Sequence, residues 1–192
     1  TFSSRMSKEE QMEPLLPGFL IEGKDCLLMG ESGAGKTLGV LALSYSVATG
    51  WPIFDSPFGV HTDKQGATLG IFSDGGEGSF GMVKKYAEML NPKEKDLWED
   101  NFNFWGADVS NKTSSWSFSI KGLSELIEEL KQGHPNGAPY KLVIVDSLKK
   151  VVSLAGIDFG IGPMDMVMQL AQGIASKFNV SWVWIHHTKP NS

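Results

Sequence analysis

Cysteine, arginine and long apolar runs are what this sequence has least of. One cysteine, Cys26, among 192 residues excludes an intramolecular disulfide and the cysteine-rich zinc modules. A single arginine, Arg5, argues against a small-molecule kinase, whose lid needs several arginines to clamp a transferred phosphoryl group. No apolar run approaches the roughly 18 residues of a membrane helix, and the N-terminus lacks a signal-peptide pattern, so a cytoplasmic globular protein is the default expectation. Positive charge is not in excess either. Seventeen Lys and Arg against 22 Asp and Glu leave a net charge of −5, which excludes a histone-like protein. Any nucleic-acid contact must come from a local patch or a channel. Internal repeats and low-complexity segments are missing as well.

What is present is enough apolar material for a core, 41% hydrophobic against 20% charged residues, in a length that fits one domain. The first 11 residues are polar and read as an arm. Pro14 to Asp25 brings apolar residues and turn formers together as a lead-in. The run from Asp25 to Gly30 is expected to be a buried parallel strand. After a glycine-rich turn, Leu38, Leu41, Ala42, Tyr45 and Ala48 recur at helical spacing up to a stop at Gly50. Trp51 to Val60, with two prolines, reads as a loop. Ala67 to Ser73 is a second strand, followed by a helix from about Ser79 to Leu90 that Asn91-Pro92 breaks. A short charged turn then leads to a third strand in Asn101–Trp105, and Gly106 to Ser117 is a Ser- and Asn-rich loop. Ile120, Leu123, Ile127 and Leu130 mark the apolar face of the next helix. Lys141 to Asp146 is a strand, a glycine-rich loop follows, and a helix near Met164 to Phe178 leads to a last strand at Val180–Ile185. Apolar strands alternating with helices predict an α/β fold with a mainly parallel sheet covered on both faces.

Gly30 to Thr37 reads GESGAGKT and matches G-x-x-x-x-G-K-[ST], the phosphate-binding P-loop. The spacing has a physical reason. Glycines let successive backbone N–H groups turn inward as a nest for phosphate, and the following helix adds its positive end. Across Gly30, Glu31, Ser32, Gly33, Ala34, Gly35, Lys36 and Thr37 the backbone would cradle a nucleotide. Lys36 would bridge the β- and γ-phosphates, and the Thr37 hydroxyl would hold Mg²⁺. With 22 glycines in the chain, a chance match has a probability of about 3%, and far less once a strand before and a helix after are required. Leu142 to Asp146 (LVIVD) has the form of a Walker B strand, whose Asp146 would reach Mg²⁺ through water.

The flanking residues select among P-loop proteins. A myosin carries the same octapeptide but is far longer. Asn111-Lys112-Thr113-Ser114 fails the N-K-x-D of GTPases at its fourth position. Asp158-Phe159-Gly160 spells a protein-kinase tripeptide without the H-R-D that accompanies it, and the ABC signature is missing. Ser147 follows Asp146 where many AAA+ proteins place a glutamate. Hydrolysis still needs a group to orient and deprotonate water. Glu77, in the glycine-rich turn after the second strand, is the favoured base, with Asp74 as its competitor.

Taken in order, FLIEGKDCLLMGESGAGKT, ATGWPIF, GIFSDGGEGSFGMVKKY, KLVIVDSL and WVWIHHTKP resemble a RecA-like P-loop ATPase domain, closest to the RepA-like plasmid and phage hexameric replicative helicases. The resemblance spans about Leu16 to Pro190. It implies a RecA-like core over 14–192 after the polar arm of residues 1–13; the start at Thr1 and the stop just after a strand read as a domain cut from a longer protein, truncated at its C-terminus. The resemblance further implies ATP and Mg²⁺ as ligands, single-stranded DNA as a partner and a homo-oligomer in the form of a hexameric ring. In that family the glutamate after the second strand is the catalytic base, here Glu77, and the paired histidines sense the γ-phosphate, here His186 and His187. Neighbours on a strand point to opposite sides, so only one of the two can face the nucleotide. An arginine or lysine from the next subunit completes such sites; with Arg5 in the polar arm as the single arginine, that finger is expected either outside residues 1–192 or as a lysine such as Lys189. DNA-gripping loops follow the Walker B and histidine strands. The first would be Leu148 to Met164, which makes Lys149 and Lys150, with Lys189 beyond, the candidate DNA contacts. Trp182 and Trp184 share a face of the last strand and read as core. His61 and His134 take no role.

Overall fold

A computed structural model describes residues 13–53, 60–73, 77–106 and 116–188, with the side chains of 77–79 outside that description. Arg5, Asp74, Lys189, most of the N-terminal arm and most of the 106–117 loop lie outside the described residues.

Five parallel strands form the centre. They are β3 (Asp25–Glu31), β4 (Ala67–Phe72), β5 (Phe102–Gly106), β6 (Tyr140–Asp146) and β7 (Ser181–Thr188), in the order β3-β7-β6-β4-β5. A two-stranded antiparallel ribbon, β1 (Pro14–Leu16) with β2 (Leu20–Ile21), precedes them. Six helices complete the described chain: α1 (Lys36–Thr49), α2 (Glu77–Met89), α3 (Pro92–Glu99), α4 (Ile120–Gln132), α5 (Leu148–Leu154) and α6 (Ile161–Phe178). The α/β architecture with a parallel sheet between helices is the one the apolar strand pattern predicts. In β6, Leu142, Val143, Ile144 and Val145 are all fully buried, as a strand covered on both faces requires.

Alternation along the strands divides the core in two. Leu142, Ile144, Val183 and Ile185 pack with Val40 and Leu41 of α1 on one face. Val143, Val145, Trp182 and Trp184 pack on the other face with Leu126 of α4, Val151 of α5 and Ala171 of α6. Trp182 and Trp184 are fully buried and stack on each other with ring centroids 4.8 Å apart. The amino ends of the strands are tied by one carboxylate. Glu22, just before β3, accepts from Lys64 and Lys141, each at 2.7 Å, and from Asn179 at 2.9 Å. Those partners stand just before β4, at the start of β6 and just before β7 respectively.

Several expectations are corrected. The strand after Asp25 is not buried. It is one of the two edge strands of the described sheet, with Leu27 44% and Met29 60% exposed. The charged turn after Asn91-Pro92 is helix α3. Asn91 closes a reciprocal capping box with Glu94, the proline sits in the first turn where its missing N–H costs nothing, and Trp98 supplies the buried anchor. Proline here starts a helix as well as ending one. The glycine-rich loop after Asp146 begins as helix α5, and α6 starts at Ile161. Ile120, expected on the buried face of α4, is 88% exposed, while Leu126 takes its place in the core. Helix α2 begins at Glu77, so that residue opens the helix instead of lying in a turn before it. Strand β7 runs on through His186 and His187 to Thr188.

Candidate functional site

The site forms at the carboxyl edge of the sheet. Strand β7 stands between the P-loop strand β3 and the Asp146 strand β6. Two strand spacings put roughly 10 Å between β3 and β6, a gap that the first turn of α1 spans. Gly33 and Gly35 adopt φ of 82° and 80°, the left-handed region where glycine carries no steric cost. Gly35 is also the N-cap of α1, with no side chain bonded to the helix's first amides. A Cβ added at Gly33 or Gly35 would meet nothing within 4 Å, so the conformation and not crowding calls for glycine. The result is an exposed, glycine-bearing loop ahead of a 14-residue helix, the arrangement that receives phosphate.

Lys36 is 8% exposed, and its ammonium donates to the carbonyl oxygens of Gly30 and Glu31, both at 2.7 Å. The lysine is thus folded back over the mouth of its own loop. The Thr37 hydroxyl donates to Oδ2 of Asp146 at 2.7 Å. Asp146 is 4% exposed, and Nε2 of His187 lies 3.3 Å from its other oxygen. Thr37, Asp146 and His187 therefore form one contiguous polar group beside Lys36.

His186 points the other way. It shares its face of β7 with Trp182 and Trp184 and stacks on Phe159, with ring centroids 5.0 Å apart and planes 16° from parallel. Burial pulls its pKa below the ordinary histidine value, and the charges of His187, Lys149 and Lys36 act in the same direction. Glu77 opens α2 five residues after β4 ends, and Phe72 at the end of β4 is in register with Asp146. The backbone thus brings Glu77 to the same edge of the sheet. Lys149 and Lys150 are exposed in the first turn of α5. Phe159 is the residue that sequence reasoning missed. In the sequence it falls inside a kinase-like tripeptide and inside the candidate loop Leu148 to Met164 without a role of its own, because apolar loop residues carry no periodicity.

Over residues 1–192 the sequence matches the AAA domain family. The chain belongs to the AAA domain family. Membership brings nucleotide binding and hydrolysis with it, on a P-loop NTPase fold. No curated protein matches the sequence. In this AAA domain the residues present fit a magnesium nucleotide. Thr37 uses its hydroxyl proton on Asp146 and keeps its oxygen lone pairs free. Hydroxyl and carboxylate oxygens are the hard ligands that Mg²⁺ takes alongside phosphate.

Proposed function

We propose that this AAA domain is a RecA-like, magnesium-dependent ATPase of the RepA-like type, which uses hydrolysis to translocate on single-stranded DNA as a homo-oligomeric, hexameric ring. The observation that carries the reading is the meeting of Lys36, Thr37, Asp146 and His187 at the carboxyl ends of three adjacent strands.

Each residue has a definable task. The Gly30–Thr37 amides and Lys36 bind the phosphates, for which the ammonium leaves the two carbonyls that now hold it. Thr37 and Asp146 hold Mg²⁺, which when bound neutralises charge on the phosphate oxygens. Glu77, at the start of α2, is the base that orients and deprotonates water. His187 reads the γ-phosphate from beside Asp146, and His186 transmits that state to the opposite face of the sheet. Lys149 and Lys150 on α5, with Lys189 beyond β7, contact DNA phosphates.

A second reading is a RecA-like regulatory or repair switch, hydrolysing ATP by the same residues without moving on DNA. The net charge of −5 favours it, since an acidic surface disfavours extensive contact with DNA. ATP turnover at fixed salt, with and without single-stranded DNA, separates the two. DNA stimulation that vanishes in Lys36→Ala supports the motor. Turnover indifferent to DNA transfers the same hydrolytic residues to the switch. Absence of turnover in Glu77→Gln with ATP binding retained assigns the base, whereas retained turnover moves that role to Asp74 or elsewhere.

A further inference from the structure

Phe159 lies in the connection between α5 and α6, and the residue is 45% exposed. A residue left that far in solvent is not fixed by core packing. Its recorded ring contact is the His186 imidazole, at 5.0 Å and 16°, a separation and tilt in the range of offset stacking. His186 is in register with Met29, and His187 with Gly30, the first residue of the P-loop. The two histidines occupy opposite faces of one strand end. A shift of that end caused by a ligand beside His187 and Asp146 is therefore felt at once by the ring on Phe159. The connection has other anchors: Ala155 and Ile157, both partly buried, pack against the core. The amide of Ile157 bonds to the carbonyl of Val152 and that of Gly160 to Asp158, both contacts within a few residues, and Gly156 sits at φ 71°. Phe159 is the contact of this segment with the strand end that carries His187.

We infer that Phe159 is a positioning residue: its stack on His186 couples the 155–160 connection to occupancy of the nucleotide site. The inference rests on the proposal that the P-loop of this chain binds ATP. It adds to that proposal the element by which occupancy is reported outward.

The test uses the whole chain and a non-hydrolysable ATP analogue with Mg²⁺, read by amide hydrogen exchange over 155–160. Analogue binding is measured first by calorimetry. In the native protein the analogue is expected to slow exchange of this segment by about 3- to 10-fold, the range one aromatic stack can supply. Phe159→Leu keeps an apolar side chain but has no π face, and it is expected to abolish the slowing. It should also weaken analogue binding by no more than the same factor, because coupling is reciprocal. Phe159→Tyr restores both. His186→Leu gives the same loss as Phe159→Leu, and the double variant adds nothing further. A residue with a packing role alone would change exchange equally with and without analogue. Slowing that persists undiminished in Phe159→Leu overturns the inference. No binding of the analogue to the native protein overturns the nucleotide reading first, and the coupling with it. The calorimetry distinguishes that failure from a failure of the stack.

Discussion

The hydroxyl of Thr37 donates to Oδ2 of Asp146 across 2.7 Å, joining residues 109 positions apart in the chain. This bond closes the gap that β7 opens between the P-loop strand and β6. It also fixes the direction of the Thr37 hydroxyl, so that its lone pairs face away from the carboxylate. The two residues work as a unit, one neutral and one charged, and substitutions separate those contributions.

Asp146→Asn keeps an oxygen able to accept from Thr37 but removes the charge. Thr37→Val keeps the shape but removes the bond. Both are expected to lower Mg²⁺-dependent ATP affinity by about 10- to 100-fold, the usual cost of losing a metal-supporting carboxylate or hydroxyl. Thr37→Ser should stay within a few-fold of the native protein. Titrating nucleotide binding at several Mg²⁺ concentrations checks this. Equal affinities with and without Mg²⁺ in the native protein would remove the metal from these residues.

Much of the site was legible in the sequence because its parts are short and local. The phosphate loop is eight consecutive residues, and the apolar run Leu142 to Asp146 is five. The split of His186 and His187 to opposite sides follows from strand alternation alone. What was not legible depends on distant partners. Phe159 has meaning only through His186, 27 positions later. Asn91-Pro92 reads as a helix break, although Asn91 and Glu94 spell the capping box that starts α3. Ile120 fits the helical period, but α4 is rotated so that Leu126 is buried instead, and periodicity does not say where a helix meets its sheet.

The capping box offers its own test. The Asn91 side chain accepts from the Glu94 amide at 3.0 Å, and Glu94 Oε2 accepts from the Asn91 amide at 3.1 Å. Helix α3 carries Trp98, which is 1% exposed, donates to Ser44 Oγ at 3.0 Å and stacks on Phe102. Asn91→Ala should therefore destabilise the domain by about 1 kcal/mol. Thermal unfolding measures it, and Asn91→Asp should recover most of the loss. An unchanged midpoint in Asn91→Ala would mean that α3 is held by Trp98 without its cap.

Glu22 predicts an acid-side loss of stability. Burial works to raise its pKa, but hydrogen bonds and charge from Lys141 and Lys64 outweigh burial and hold the carboxyl below its ordinary 4.5. A carboxyl whose pKa is lower folded than unfolded stabilises the fold above the unfolded value. That contribution fades as pH falls through the folded one. Glu22→Gln should thus cost about 1–2 kcal/mol at pH 7, and the difference from the native protein should shrink progressively below pH 4.5. Urea unfolding at pH 7, 5 and about 3.5 follows it. A difference independent of pH would assign the cost to packing and not to charge.

Two helical glycines should respond to the same substitution with opposite signs. At Gly122, in the first turn of α4, an added Cβ would stand 2.1 Å from the Ser117 carbonyl oxygen and 3.1 Å from the Trp116 indole nitrogen. That nitrogen donates to the Gly122 carbonyl at 2.8 Å, so the helix cannot back away without breaking the bond. Gly122→Ala should destabilise by about 1–3 kcal/mol through overpacking. At Gly81, inside α2, a Cβ would meet nothing within 4 Å and the backbone is already helical. Gly81→Ala should stabilise by about 0.5–1 kcal/mol, chiefly by restricting the unfolded chain. Midpoints of thermal unfolding for the two variants should fall on either side of the native value. If Gly122→Ala were neutral, the close approach of α4 to residues 116–117 would not be a constraint on the fold, and the burial of Trp116 would need another cause.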